Sequence, residues 1–269
     1  MTVRELRQGA LAALRVGDPR EKVAAVHALA MAAPAPDPEV ELATPSDIPG
    51  RPPTPRLVRP SELAARPAAT QAGRAALLHS IAHIEFNAIN LALDAIWRFP
   101  GMPAAYYLDW LGVADEEASH FTLVCGRLLA YACSYGDFPA HNGLWEMAEK
   151  TADDVLARMA LVPRTLEARG LDASPSVRAK LAGAGDDASA QVIDVILRDE
   201  IGHVAIGNRW FRLLCGMRGL DPHRAYVDLS IRYSAPRLHG PFNIAARRAA
   251  GFDDEELRAL DPGFGLPSD

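Results

Sequence analysis

Two Glu-x-x-His quartets constrain the fold of this chain more than any other feature. Glu117 and His120 form the first quartet, Glu200 and His203 form the second, and each lies inside a long apolar stretch. Residues three positions apart share one face of an α-helix, so each quartet would present a carboxylate and an imidazole side by side. We therefore expect helices at both quartets, with polar side chains directed into the core.

Two further acids turn the quartets into a repeat. Glu85 lies 32 residues before Glu117, and Glu167 lies 33 residues before Glu200. The order Glu, then Glu-x-x-His, thus occurs twice at nearly the same interval. This arrangement is typical of a carboxylate-bridged dinuclear metal site inside a four-helix bundle.

Hydrophobic periodicity predicts an all-α protein. A period near 3.6 residues predicts long helices at about 71–98, 103–135, 144–169 and 187–218. Glycine and proline follow each of them, and the third helix is expected to end at Gly170 to Pro175. We expect a four-helix bundle over 68–219.

The flanking segments have a different composition. Residues 3–31 read as one or two short amphipathic helices, and the proline-dense stretch 33–67 reads as an extended linker or, equally, as an ordered arm wrapped over the core. The sequence of residues 220–269 predicts further short helices. The predicted domains are therefore an N-terminal arm (1–67), the bundle (68–219) and a C-terminal cap (220–269) packed on the bundle.

Helical phase supports inward carboxylates on three of the four helices. Glu85 is the only acid on an apolar face of its helix, and both quartets fall in phase with apolar neighbours. On the helix of Glu85, the opposite side is predicted to form an outward polar stripe. Its members are His79, His83, Asn87, Asn90 and Asp94.

The third helix is the exception, because Glu167 lies at the edge of its apolar stripe. Pro163, four residues earlier, could kink or underwind the helix and rotate this carboxylate inward. Glu149 and Asp153 are the alternative ligands, although choosing either would lose the regular interval.

The charge of this ligand set predicts the cofactor. Buried carboxylates need compensating cations, and four carboxylates with two imidazoles carry the charge that two divalent ions neutralise. The mixed oxygen and nitrogen donors suit iron, manganese or a mixed pair better than zinc. We expect O2 as co-substrate and no organic cofactor site. The expected metal ligands are Glu85, Glu117, His120, Glu167, Glu200 and His203, and the sequence does not identify catalytic residues beyond them.

Composition narrows the classes of protein to which this chain could belong. A chain of 269 residues with 49% hydrophobic content can bury a substantial core, and no apolar run reaches the roughly 18 residues of a membrane span. Three cysteines without Cys-x-x-Cys spacing predict reduced, buried thiols and a cytoplasmic protein. The formal net charge of −6 argues against a protein that coats nucleic acid. Two arginine groups could still form a basic patch: Arg51, Arg56, Arg59 and Arg66, and Arg232, Arg237, Arg247 and Arg248.

The ligand order resembles that of the ferritin-like superfamily of dinuclear carboxylate proteins. More specifically, four phrases resemble an uncharacterised bacterial family, domain of unknown function 455, over nearly the full chain. They begin at His83 (HIEFNAI), Pro163 (PRTLEARGLD), Arg198 (RDEIGH) and Pro241 (PFNIA). The resemblance implies a ferritin-like fold and a dimetal site at the six residues named above, but no established substrate.

Several functions use such a site. The leading hypothesis is a dimetal-dependent oxidoreductase, an oxidase or oxygenase in which two Fe(II) ions reduce O2 and a small organic substrate is oxidised. An external protein would deliver the electrons, because the chain lacks a rubredoxin-like cysteine module, and a homodimer is a further expectation. The alternatives are a ferroxidase or iron-storage protein, a hydroxylase acting on tRNA, and a metal-free scaffold.

Overall fold

The structure, a computed structural model, describes residues 5–64 and 66–261. Within these ranges the protein is all-α, as predicted, and the one β-type contact is an isolated bridge between Leu57 and Ala140. A 3-10 turn at Pro60–Glu62 and a π turn at Val162–Glu167 supplement the α-helices. The α-helices of the described part are α1 (Leu6–Leu14), α2 (Pro19–Ala32), α3 (Gln71–Arg98), α4 (Ala104–Leu129), α5 (Gly143–Lys150), α6 (Val155–Leu161), α7 (Ala168–Gly183), α8 (Asp187–Met217), α9 (Pro222–Arg232), α10 (Ile244–Ala249) and α11 (Asp254–Leu260).

The chain divides into two compact units, one up to Trp145 and the other from Glu146. In the first unit α3 packs along α4, while α1 packs on α3 and α2 on α4. In the second unit α7 packs along α8, and α6 and α9 pack on each other and on α8. The predicted domain boundaries near 67 and 219 follow a different division and stay predictions, as does the ferritin-like arrangement.

The proline-rich stretch of the first unit is an ordered arm rather than a free linker. Its backbone is fixed at several points: Gly50 donates to Leu14 (2.8 Å), Gly101 donates to Pro38 (2.9 Å), and Val58 donates to Ala140 (2.8 Å). Proline cannot donate a backbone hydrogen bond, so such an arm depends on its few remaining N–H groups and on side chains from the helices. The buried guanidinium of Arg7 supplies some of these contacts, to the carbonyls of residues 37, 38 and 40.

The outward polar stripe expected on α3 is wrong, because those side chains are buried. The helices and the arm of the first unit cover this side, and several of its polar groups have partners. Lys22 of α2 donates to Asn90, and Arg98 pairs with Asp94 at 2.7 Å. Both long sides of α3 are therefore internal, which a single apolar stripe does not predict.

The single third helix predicted at 144–169 is also wrong. The chain leaves helical geometry between α5 and α6, where Asp154 caps the new helix by accepting from the Leu156 N–H at 3.0 Å. The helix then continues past Gly170 and Pro175, where a break was expected, as far as Gly183. The other three long helices lie close to their predicted ranges, and α9 to α11 confirm the short helices expected after 220.

Two further sequence expectations can be compared with the structure, and they concern membrane spans and cysteines. No helix of the described residues combines the length and the apolar character that crossing a bilayer requires. All three cysteines are free thiols, as predicted; Cys215 is buried, while Cys125 and Cys133 are partly exposed. A compact apolar cluster forms where α10 and α11 pack in the second unit, made by Ala168, Leu171, Val204, Ala246, Ala250, Phe252 and Leu257.

Candidate metal centre

Glu85, Glu117 and His120 form one tightly packed, buried group in the first unit. Their side-chain ligand atoms lie within 4.8 Å of one another, and each residue is at most 2% exposed. Nδ1 of His120 lies 3.4 Å from Oε2 of Glu85 and 3.4 Å from Oε2 of Glu117. Two carboxylates and an imidazole therefore converge on one buried volume.

The pairing of α3 with α4 creates this group. Glu117 and His120 are one turn apart on α4 and share a face, while Glu85 projects from the middle of α3. The neighbouring residues Phe86 and Phe121 pack with ring centroids 5.5 Å apart and hold the two helices in register at this level. An apolar wall thus sets the spacing of the polar group beside it.

Burial gives the group an unusual proton affinity. Burial, together with the charge of Glu117, raises the pKa of Glu85 to about 8. Burial opposes the charged form of His120, but hydrogen bonds and charges from Glu117 and Glu85 outweigh this effect and raise its pKa to about 11. Protons thus supply the positive charge that two adjacent buried carboxylates require.

Glu200 and His203 occupy the buried face of α8 in the second unit. They are 6% and 1% exposed, and Nδ1 of His203 lies 3.8 Å from Oε2 of Glu200. Their buried neighbours on the helix are Ile196, Val204 and Gly207. The second quartet therefore also presents a carboxylate and an imidazole inward, as its phase predicts.

Glu167 is the last residue of the π turn between α6 and α7. It is half-buried, with Oε2 enclosed, whereas the alternatives Glu149 and Asp153 are both exposed. The extra residue of a π turn changes the helical phase, so the edge position derived from a regular helix does not apply. The underwinding expected at Pro163 is confirmed, and Glu167 is the most enclosed of the three acids.

Side chains within the second unit support this π turn. The hydroxyl of Thr165 donates to the Ala160 carbonyl five residues back (2.8 Å) and lies 3.0 Å from the hydroxyl of Tyr226. Arg164 is buried, pairs with Glu256 and lies about 5 Å from three aromatic rings. Those rings belong to Phe211, Tyr226 and Phe252.

One further cluster escaped prediction because its members are far apart in sequence. His223, Asp253 and Glu256 approach within 4.8 Å, and His223 lies 3.0 Å from Asp253. Glu256 also binds Arg164 and Arg212. These arginines already neutralise the acids, so the cluster serves as an ion-pair network at α11.

Of the C-terminal arginine group considered as a basic patch, one member is buried and one is ion-paired, while Arg232 and Arg237 are exposed. Arg247 is fully buried and makes a bidentate ion pair with Asp172. Arg248 pairs with Asp254 at 2.7 Å. In the arm, Arg59 pairs with Glu62, and Arg66 lies over the ring of Phe138. Several of the arginines in the two groups thus contact other residues of the same chain.

Comparison with known proteins shows the family to which the chain belongs. A family model described as "Protein of unknown function (DUF455)" matches residues 15–258. The chain belongs to this DUF455 family. A relative from Haemophilus influenzae, described as "Uncharacterized protein", is 53% identical over 196 residues, covering 70% of this chain and 68% of its own length. No solved structure matches the chain.

The DUF455 match includes every proposed ligand, since Glu85 and His203 both lie well inside residues 15–258. The family description names no activity. The buried groups of acids and histidines are therefore the main guide to what this DUF455 protein does.

Proposed function

We propose that this DUF455 protein is a ferritin-like, non-haem dimetal oxidoreductase that uses O2 to oxidise a small organic molecule. Each unit contributes one half-site for a divalent ion. The first half-site consists of Glu85, Glu117 and His120, and the second of Glu167, Glu200 and His203. Iron is the favoured metal, with manganese or a mixed pair as the alternative.

The convergence of Glu85, Glu117 and His120 carries this proposal. All three ligand atoms lie within 4.8 Å of one another, and all three residues are buried. Burying two carboxylates together is costly unless cations or protons compensate them. A purely structural role does not require this cost, because apolar residues would fill the same space more favourably.

The donor chemistry of each half-site fits the proposed metals. The first half-site offers two carboxylates and one imidazole, and the second offers the same set in the same order. Hard oxygen donors with imidazole suit Fe(II) and Mn(II), and the free cysteines are not members of either group. The repeat of Glu and Glu-x-x-His supports equal roles for the two half-sites.

When bound, the metal ions would supply the electrons that reduce O2. The chain's own residues bind, orient and shield these ions. Burial of Glu117 and Glu200 keeps bulk water from the carboxylates, and Phe86 and Phe121 form an apolar wall beside the first half-site. An external protein would supply further electrons.

Metal stoichiometry tests the proposal. The full chain is loaded anaerobically with Fe(II), freed of unbound metal and analysed by mass spectrometry for iron per chain. We expect two ions in the wild type and at most one in Glu117→Gln or Glu200→Gln. Glu116→Gln is the matched control, because this exposed neighbour of Glu117 should leave the stoichiometry unchanged. Two ions retained in both ligand variants would contradict the assignment.

Two measurements separate the alternatives. A ferroxidase or storage protein with the same ligands would form a large hollow assembly, which light scattering detects. A tRNA-acting hydroxylase would bind RNA through the exposed arginines of the arm, and this binding would weaken steeply with salt. An oxidase or oxygenase of small molecules shows neither property, but the reduced iron form changes its absorption spectrum on exposure to O2.

A further inference from the structure

A groove in the first unit combines apolar walls with a volume that suits a small organic molecule. Helix α3 contributes Leu77 and Ile84, the segment after α4 contributes Phe138, α5 contributes Leu144, and the arm contributes Leu63. These side chains are half-buried, apart from Ile84, which is 45% exposed. The groove has a volume of about 410 Å³, within the range of roughly 300–1,000 Å³ that is typical of sites for small ligands.

The groove lies on a different side of α3 from the candidate metal centre. Its lining residues on α3 recur at spacings of three and four between Gly73 and Ile84, and they therefore share one face of the helix. At about 100° per residue, Glu85 lies about 140° around the helix from the middle of this face. Glu85, Glu117 and His120 are not among the residues that line the groove. A ligand in the groove would thus occupy a second site, separate from the proposed metals.

The groove carries a positive charge. Its lining includes no acidic residue among the part of the chain that the structure describes, but it includes Arg66 of the arm. The guanidinium carbon of Arg66 lies 5.1 Å from the centroid of the Phe138 ring, and this arginine forms no ion pair with any described residue. His141 also lines the groove. Its Nδ1 accepts from the Gly143 N–H at 3.2 Å, so the proton of the neutral ring is on Nε2, which can donate.

This combination of groups is complementary to a carboxylate with an apolar body. A planar guanidinium can form two parallel hydrogen bonds with a carboxylate, and the imidazole N–H can add a third. A phosphate dianion would meet only one permanent positive charge here, and a cationic ligand would be repelled. The apolar walls exclude small, fully polar anions as the best fit, because such ions would leave the apolar surface uncovered.

We propose that the groove binds a small amphipathic monocarboxylate, with its carboxylate at Arg66 and its hydrocarbon chain along Leu77, Ile84 and Phe138. Arg66 is exposed, so solvent and salt partly screen the ion pair. Burial of the hydrocarbon chain therefore supplies most of the affinity. For a ligand of about ten non-hydrogen atoms we expect a dissociation constant on the order of 0.1–1 mM.

Isothermal titration calorimetry of the full chain with octanoate tests this site, and 1-octanol serves as the neutral analogue. Arg66→Gln should raise the dissociation constant for octanoate by roughly threefold to tenfold and leave that for 1-octanol unchanged, because only octanoate pairs with the guanidinium. Arg56→Gln is the matched control. Arg56 is an exposed arginine of the same arm that does not line the groove, so this variant has the same net charge and should bind octanoate like the wild type. Equal octanoate affinities in the wild type and Arg66→Gln would reject the carboxylate assignment.

Filling the groove tests its position. Ser80 is exposed, lines the groove and donates its hydroxyl to the Leu77 carbonyl at 2.7 Å, so Ser80→Trp should fold normally and abolish the binding of both ligands. Ser119→Trp is the control, because Ser119 is exposed on α4, donates in the same way to the Asp115 carbonyl at 3.1 Å and does not line the groove. Circular dichroism checks the fold of both variants.

Two results would overturn the proposal: a wild type that binds no octanoate, and octanoate binding that survives Ser80→Trp. Metal content should be unchanged in every variant, so the result does not depend on the proposed metal function.

Discussion

At the scale of single residues, His79 shows what burial on α3 costs. Its side chain is fully buried, and Nε2 accepts a hydrogen bond from the Gly136 N–H at 2.9 Å. This bond requires an unprotonated Nε2, and burial lowers the pKa of His79 to about 4. Tyr135 and Phe138 enclose the ring, with both centroids 5.4 Å away. The native fold therefore holds this imidazole in its neutral form.

His79 predicts acid sensitivity in the first unit. In the unfolded chain the imidazole takes up a proton near pH 6.5, whereas in the fold it stays neutral down to about 4. The unfolded state thus binds more protons in this window, and the free energy of unfolding should fall as pH falls through it. His79 should contribute up to ~1.4 kcal/mol per pH unit.

Urea unfolding at a series of pH values measures this slope in the wild type and in His79→Phe. The variant loses the bond from Gly136, so it should be less stable at neutral pH, but its stability should depend less on pH between about 6.5 and 4. Above this window the two slopes should agree, which serves as the internal control. Equal slopes within the window would show that His79 is not held neutral.

Individual residues also show how far the sequence could predict the candidate site. The burial of Glu85, Glu117 and Glu200 followed from helical phase, because an acid in phase with apolar residues turns inward with them. The burial of His79 and Asn90 did not follow, since it depends on distant segments: the turn after α4 covers His79, and α2 supplies Lys22 to Asn90. Periodicity in one helix reports its own apolar stripe and contains no information about distant segments that pack on its other side.

At the scale of elements, the π turn and α8 fit together at Gly207. A Cβ atom built on Gly207 would lie 2.5 Å from Cβ and 2.6 Å from Cγ of Pro163. Pro163 lies within the π turn, and its ring cannot turn aside as a flexible side chain would. Close approach of α8 to the segment that carries Glu167 therefore requires glycine at this position.

Gly207→Ala should destabilise the second unit even though alanine favours helix. The gain in helix propensity is at most ~1 kcal/mol, whereas overpacking costs about 1–3 kcal/mol. Hydrogen exchange in the peptides covering Val162–Glu167 should rise, because the turn must move away from α8. Thermal unfolding with hydrogen-exchange mass spectrometry measures both effects.

Gly202→Ala is the matched control on the same helix, because nothing lies within 4 Å of its added Cβ. This substitution should stabilise α8 by up to ~1 kcal/mol and leave exchange in the π turn unchanged. Opposite signs for the two substitutions are the expected result. If Gly207→Ala also stabilised the protein, Pro163 would not be packed against α8 as described.

The third predicted helix shows why elements were harder to predict than residues. The apolar pattern over 144–169 is continuous enough to indicate one helix, but the turn at 151–153 and the cap at Asp154 interrupt it. Pro163 did indicate underwinding, because proline cannot donate within a helix. The helix through Gly170 and Pro175 persists because residues such as Ala168 and Leu171 are packed in the core of the second unit. Tertiary contacts there stabilise the helix more than Gly170 and Pro175 destabilise it.

At the scale of the whole molecule, the two units repeat one arrangement of acid and histidine. In each, a long helix presents a Glu-x-x-His pair inward. In the first unit α3 places the carboxylate of Glu85 beside this pair, and in the second unit the π turn carries Glu167. The repeat was visible in sequence spacing. The residues that pack around the two arrangements differ. Phe86 and Phe121 form an apolar wall in the first unit, whereas the buried Arg164 packs among aromatic rings in the second. Equivalent positions therefore need not respond equally to mutation.

The proposed metal sites should make the metal affinity of the protein depend on pH. Without metal, the raised pKa values of Glu85 (about 8) and His120 (about 11) keep protons on the first half-site at neutral pH. A metal ion requires the carboxylate and the neutral imidazole, so it must displace these protons. Binding of Mn(II) at neutral pH should release about two protons from this half-site, and the affinity should weaken as pH falls.

Calorimetry in buffers of different ionisation enthalpy measures this proton release directly. Glu85→Gln has no proton to lose at that position, so it should release about one proton fewer than the wild type and bind the metal more weakly. The exposed variant Glu116→Gln should match the wild type in both respects. Because metal binds the folded chain preferentially, saturating Mn(II) should also raise the unfolding temperature of the wild type more than that of Glu85→Gln. Metal binding without proton release would mean that the ion is held elsewhere in the protein.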